Sequence, residues 1–168
     1  MNHTELRKAI HAKRAEIEKR AGTVGAIWPR NPSSLTLLGS STKIEKVVDG
    51  VNESYLMSVQ YLAPADEAFP ANSGKSTCAF ATTCWRFKEG NRRKSMDGEN
   101  PTDSACLVNS GQMAIPRNKG TRIWKTALYF GWPEAYRALL GLEIAALERK
   151  AEKEGKIAAV RLDGTSDL

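Results

Sequence analysis

The sequence predicts an α/β fold in which a partly open, mostly parallel sheet is flanked by helices. Three observations carry that expectation. Residues 132–162 read as one complete helix-to-strand unit, the piece from which parallel sheets are assembled. Short runs at 35–38, 44–48 and 55–61 carry the residue types of strands ahead of it. At 168 residues the chain is one domain by length, well short of the ~250 typical of a complete (β/α)8 barrel.

Taken in order, the chain begins with a basic N-terminal helix over residues 1–22. Asn2 with Glu5 three residues on has the form of a helix cap, and Gly22 provides the stop. Leu6, Ile10, Ile17 and Ala21 make only a thin apolar stripe on a mostly charged helix, which predicts an outer position. Residues 23–34 form a connector containing Gly25, Pro29 and Pro32, with Trp28 as its packing anchor. The three strand candidates follow. Asp49-Gly50 marks a turn between the second and third, and Pro64 closes the third. Residues 66–120 are irregular, rich in Ser, Asn, Gly and Lys, and hold all three cysteines. Helical character resumes at 122–130 through Ile123, Trp124, Ala127 and Leu128.

In the final unit, Pro133 suits a first helical turn, where its missing N–H would have no partner anyway. Tyr136, Leu140, Ile144, Leu147 and Ala151 fall on one face at helical spacing, with Leu139 beside them. Gly155 is the left-handed stop. The run 157–162 has the composition of a strand buried on both sides. Asp163-Gly164-Thr165-Ser166-Asp167 then leaves its carboxyl end, where parallel sheets carry their ligand chemistry.

The net charge of +6 is concentrated in two places. Residues 1–20 and the segment 86–95, with Arg86, Lys88, Arg92, Arg93 and Lys94, carry the excess, leaving the remainder slightly acidic. Such segments either attract phosphate polyanions or form solvated faces. No apolar run approaches the ~20 residues that span a bilayer, and the N-terminus has no apolar signal region. The expected compartment is a reducing cytoplasm, where cysteines are thiols or metal ligands.

Cys78, Cys84 and Cys106 are the main chemical feature. Thiolates are soft ligands for zinc or iron–sulfur clusters, and three of them leave one coordination position open. Their spacing is not CxxC, and buried, unreactive thiols are the competing reading. Gly74-Lys75-Ser76 is not a phosphate loop, because the glycine required five residues earlier is Phe69. Arg161 sits in an apolar strand, with Asp163 and Asp167 as its nearest candidate partners. They form either a charged cluster at the mouth of a sheet or a structural ion pair. Arg122, Lys125 and Thr126 either bind an anion near the cysteines or line a wet helix face.

From about Leu37 to Leu168 the chain resembles the gene product 88 family of bacteriophage and prophage proteins. The resemblance rests on Gly39 through Lys43, Tyr61-Leu62-Ala63-Pro64-Ala65 and Cys78-Ala79-Phe80-Ala81-Thr82-Thr83-Cys84. It continues through Ala105-Cys106-Leu107, Arg122-Ile123-Trp124-Lys125-Thr126 and the terminal Arg161-Leu162-Asp163-Gly164-Thr165-Ser166-Asp167. It implies a family domain over 35–168, a host bacterial cytoplasm, and an inserted loop at about 85–105 that separates Cys84 from Cys106. Family members continue past the Gly-Thr-Ser-Asp motif, so the chain is similar to the N-terminal part of a longer protein. Their clustered cysteines and strand-helix order are similar to those of radical S-adenosylmethionine proteins, which implies part of a barrel-like fold.

Two functions follow as expectations. The first is a metal-dependent enzyme part. In it Cys78, Cys84 and Cys106 hold an iron–sulfur cluster, with S-adenosylmethionine by the same analogy, and Arg161, Asp163 and Asp167 lie near the substrate. The second is a non-enzymatic protein that uses its basic N-terminal helix and its basic loop to bind nucleic acid or a host protein, with Arg92, Arg93, Lys94, Arg122 and Lys125 as the candidate binding residues. An open sheet edge at the last strand further predicts self-association.

Overall fold

The computed structural model describes residues 2–40, 54–64, 67–70, 73, 75, 77 and 115–162. Asn2 caps α1 (His3–Ala12) with the expected reciprocal pair. Its side chain accepts the Glu5 N–H at 2.9 Å, while the Glu5 carboxylate accepts the Asn2 N–H at 2.9 Å. The single N-terminal helix of the sequence reading is in fact two. It breaks at Lys13 (φ −95°, ψ 8°), and α2 (Arg14–Ala21) ends at Gly22 in the left-handed conformation, φ 71°. Such a stop favours a residue without Cβ.

The expectation of an outer helix is corrected in one respect. Leu6, Ile10, Ile17 and Ala21 are no more than 2% exposed and belong to the main core, while the charged side chains occupy the opposite face. A stripe of four apolar residues suffices because α1 lies against the Pro32–Ser34 turn and the last described helix, while α2 lies on a long, largely buried helix.

That helix is α3 (Pro116–Gly131), longer at its start than the 122–130 run suggests. It is buried nearly all round, with Ile123, Trp124, Ala127 and Leu128 at its centre. Two glycines let neighbours approach it closely. A Cβ on Gly131 would fall 2.3 Å from the Ile17 carbonyl oxygen, and one on Gly120 would fall 2.3 Å from Ile27 Cγ1. Trp28 anchors the connector as expected, its ring tilted against Trp124 at 5.4 Å between centroids. A 3-10 turn at Pro32–Ser34 then leads Leu35 and Leu37 into the core.

The described strands are β1 (Leu38–Gly39), β2 (Tyr55–Gln60) and β3 (Ile157–Arg161), in the order β1-β2-β3. β1 runs antiparallel to β2 with Leu38 opposite Gln60. β3 runs parallel to β2, from Tyr55 opposite Ile157 to Val59 opposite Arg161. The fold is therefore α/β, with four helices and a small mixed sheet among the described residues. Among the described residues the sheet consists of one antiparallel and one parallel pair. The strand candidates at 35–38 and 55–61 are represented by β1 and β2. The candidate at 44–48, the Asp49-Gly50 turn and the inserted loop lie outside the described residues.

α4 (Pro133–Lys153) packs against β3 and against α1 and α3. Its buried stripe differs from the expected one. Ala135, Tyr136, Leu139 and Ala151 are buried, Leu140, Ile144 and Leu147 only half so, and the position between Leu139 and Leu147 is filled by Glu143. β3 is also less covered than its composition suggests. Ile157 and Leu162 are more than half exposed, because β3 is the edge of the described sheet. Apolar composition alone does not distinguish a central strand from an edge one.

Candidate functional site

Val59 lies opposite Arg161, so β2 and β3 run in one direction and end together. In parallel sheets that end is where ligands are held, because the connections leaving the strands supply the side chains. Beyond Gln60 the chain is fixed there by the Ala63 peptide. The Ala63 N–H donates to Thr126 Oγ1 at 2.8 Å, and the Thr126 hydroxyl donates in turn to the Arg122 carbonyl at 3.1 Å. The Ala63 carbonyl accepts from the hydroxyl of Thr77, which is buried. Thr77 is thus held beside the carboxyl end of β2, and Cys78 is the next residue. Asp163 follows Arg161 by two residues. The described chain thus ends its approach to the first segment at Thr77, tied three residues beyond β2, and to the second at Leu162, directly after β3.

Beneath this end lies an ion pair between Arg122 and Glu67. The guanidinium donates to Glu67 through Nε (3.2 Å) and Nη2 (3.0 Å to each oxygen), and the two side chains are 4% and 2% exposed. Lys75, from the rejected phosphate-loop triplet, donates through Nζ to the Ala21 carbonyl at 2.9 Å, at the carboxyl end of α2. A cation there complements the helix dipole.

One of the two expectations for Arg122, Lys125 and Thr126 is corrected. They line no wet helix face, for all three are buried. Arg122 faces Glu67, and Lys125 Nζ donates to the Leu37 carbonyl at 2.7 Å. Arg161 is exposed at the end of β3, which corrects the premise that its guanidinium is buried in the strand. Cys78, Cys84, Cys106, Arg92, Arg93, Lys94, Asp163 and Asp167 lie outside the described residues. Among the described residues no group of three or more His, Cys, Asp or Glu is placed to hold a metal ion. No described helix is long and apolar enough to cross a membrane.

Glu143 is the residue that the sequence reading missed. From α4 its carboxylate accepts the Leu37 N–H at 2.9 Å and the Leu38 N–H at 2.8 Å, and it lies 3.4 Å from the Arg7 guanidinium. Leu37 is therefore gripped at both polar groups of its backbone, by Glu143 at N–H and by Lys125 at C=O. A signal existed. Glu143 stands four residues after Leu139 and seven after Tyr136, inside the apolar stripe.

Burial lowers the Lys125 pKa from 10.5 to about 8, with Glu143 partly opposing the shift. The sign of the effect on stability follows from linkage. Between pH 8 and 10.5 the unfolded chain binds more protons than the native one, so stability rises with pH there. The expected rise is on the order of 2–3 kcal/mol. Urea unfolding across that window should show it in the native protein and not in Lys125→Met. Parallel profiles for the two proteins would refute it.

A family model for Gene product 88 matches residues 34–168. No curated protein and no solved structure matches the chain.

Proposed function

The chain belongs to the gene product 88 family of phage proteins, and from that premise we propose that it is the metal-binding part of an enzyme. Its thiols would hold an iron–sulfur cluster at the carboxyl end of β2 and β3. One observation supports the reading: Thr77, which precedes Cys78 in the sequence, is tied to the Ala63 carbonyl three residues beyond β2, and Asp163 follows Arg161, at the end of β3, by two residues.

The donor set fits the group. Cys78, Cys84 and Cys106 supply soft thiolates, and three ligands leave one position for a further ligand. When bound, such a cluster supplies one-electron chemistry. The chain's own part is to position and bind. Arg161, exposed at the strand end, is available to an anionic substrate group, and Asp163 and Asp167 are acceptors for its hydroxyl or amine groups. The Ala63–Thr126–Thr77 hydrogen bonds fix where the cysteine segment starts.

Anaerobic purification followed by iron, zinc and acid-labile sulfide analysis tests the reading. Iron and sulfide should appear together with a brown colour, and each of Cys78→Ser, Cys84→Ser and Cys106→Ser should lose them. Colourless protein without metal, or zinc without sulfide, would count against a cluster. The metal-free result would favour the non-enzymatic alternative, in which Arg92, Arg93 and Lys94 engage nucleic acid or a host protein.

A further inference from the structure

We propose that the break between α1 and α2, together with the connector after Trp28, is a docking site for the phosphate backbone of duplex DNA. The inference does not depend on the cluster. It starts from a convergence that the sequence does not reveal. His11 Nε2 lies 3.1 Å from the Pro29 carbonyl, and the Arg14 guanidinium donates to the His11 carbonyl at 3.0 Å. Arg30 follows Pro29, so its backbone lies next to the contact that joins the connector to the end of α1. Lys13, at the break itself, holds its Nζ 4.9 Å from the centre of the Trp132 ring.

Lys13, Arg14 and Arg30 are exposed, and none has a carboxylate partner among the described residues. The nearby carboxylates are engaged elsewhere. Glu16 pairs with Arg20, Glu18 accepts the Trp28 indole N–H, and Glu134 pairs with Arg137. Glu16 and Glu18 set against Lys13, Arg14, Lys19, Arg20 and Arg30 still leave the two segments with a net charge of +3. A solvated helix face usually interleaves its charges, whereas a phosphate-binding surface gathers one sign.

Duplex is favoured over single strand by the aromatic residues. Single-stranded sites need open ring faces on which bases stack. Here Trp28 packs its ring on Trp124, Lys13 covers Trp132, and neither indole is fully exposed. What remains is a set of point charges, suited to a backbone that carries one charge per ~1.7 Å of duplex.

Binding of a short DNA duplex, followed by fluorescence anisotropy at several salt concentrations, tests the site. With three phosphate contacts, affinity should fall roughly 40-fold between about 50 and about 200 mM salt. Arg14→Glu with Arg30→Glu should weaken binding at least about tenfold and reduce the salt slope by about two contacts. Arg14→Gln with Arg30→Gln reads the same site if the reversal does not fold. Arg149→Glu with Lys153→Glu makes the same change in net charge on exposed residues of α4. Arg149 is 17 residues beyond Trp132, about 25 Å along the helix, and this variant should retain affinity within about threefold. No binding at low salt, equal losses in the two charge-reversed variants, or tighter binding of single strands would each overturn the proposal.

Discussion

Glu143→Ala should lower the unfolding free energy by about 3–5 kcal/mol, among the largest effects expected of any single substitution here. The carboxylate is 6% exposed and accepts the N–H groups of Leu37 and Leu38, while Lys125 stands at the Leu37 carbonyl. Alanine removes the acceptor from a buried amide and takes the compensating charge away from a buried ammonium. Glu143→Gln keeps an acceptor but not the charge, and should lose about half as much. Because Glu143 holds the Lys125 pKa up, either substitution should also move the alkaline rise in stability to lower pH. Urea midpoints between about pH 7 and 10 report both effects. A loss under about 1 kcal/mol for the alanine variant would mean that the Leu37 segment is not held from α4.

Removing one side of the Arg122–Glu67 pair should be comparably severe, at about 3–5 kcal/mol for Glu67→Leu or Arg122→Met. Both side chains are almost wholly buried, so each single variant leaves its former partner's charge in a site with little water. Replacing both with apolar groups removes the desolvation cost along with the attraction. The double variant should therefore lie within about 1–2 kcal/mol of the native protein. Thermal and urea unfolding of the four proteins would give the coupling directly. Single losses that simply add in the double variant would show that the pair is not a buried unit.

The capping box at Asn2 and Glu5, the stop at Gly22, the helix from Pro133, the left-handed Gly155 and the strand at 157–161 were all legible in the sequence. Each depends on residues a few positions apart, and local chemistry decides such features. The break at Lys13 was not legible, because the stripe from Leu6 to Ala21 keeps helical spacing across it. The sheet's mixed character was not legible either. A strand's composition states its burial imperfectly and says nothing of its partner's direction.

For Arg122, Lys125 and Thr126, the reading of a wet helix face misjudged their surroundings. Polarity was read as wetness, whereas Glu67, 55 residues earlier, and the Leu37 carbonyl, 88 residues earlier, make burial of these groups tolerable. Glu143 was passed over because a carboxylate inside an apolar stripe looks like an interruption until the amides it accepts are in view.

By itself, then, the sequence determined the family, the α/β class, the four-residue stripe of the N-terminal segment and the points where most helices start and stop. These are properties of nearest neighbours in the chain and of ordered motifs along it. Only the tertiary structure decided which charges are buried, which strand stands at the edge of the described sheet, and that the connector at Pro29 meets His11 at the end of α1. Burial and electrostatic pairing depend on distance in space, and the buried pairs that matter here join residues 55 to 106 positions apart.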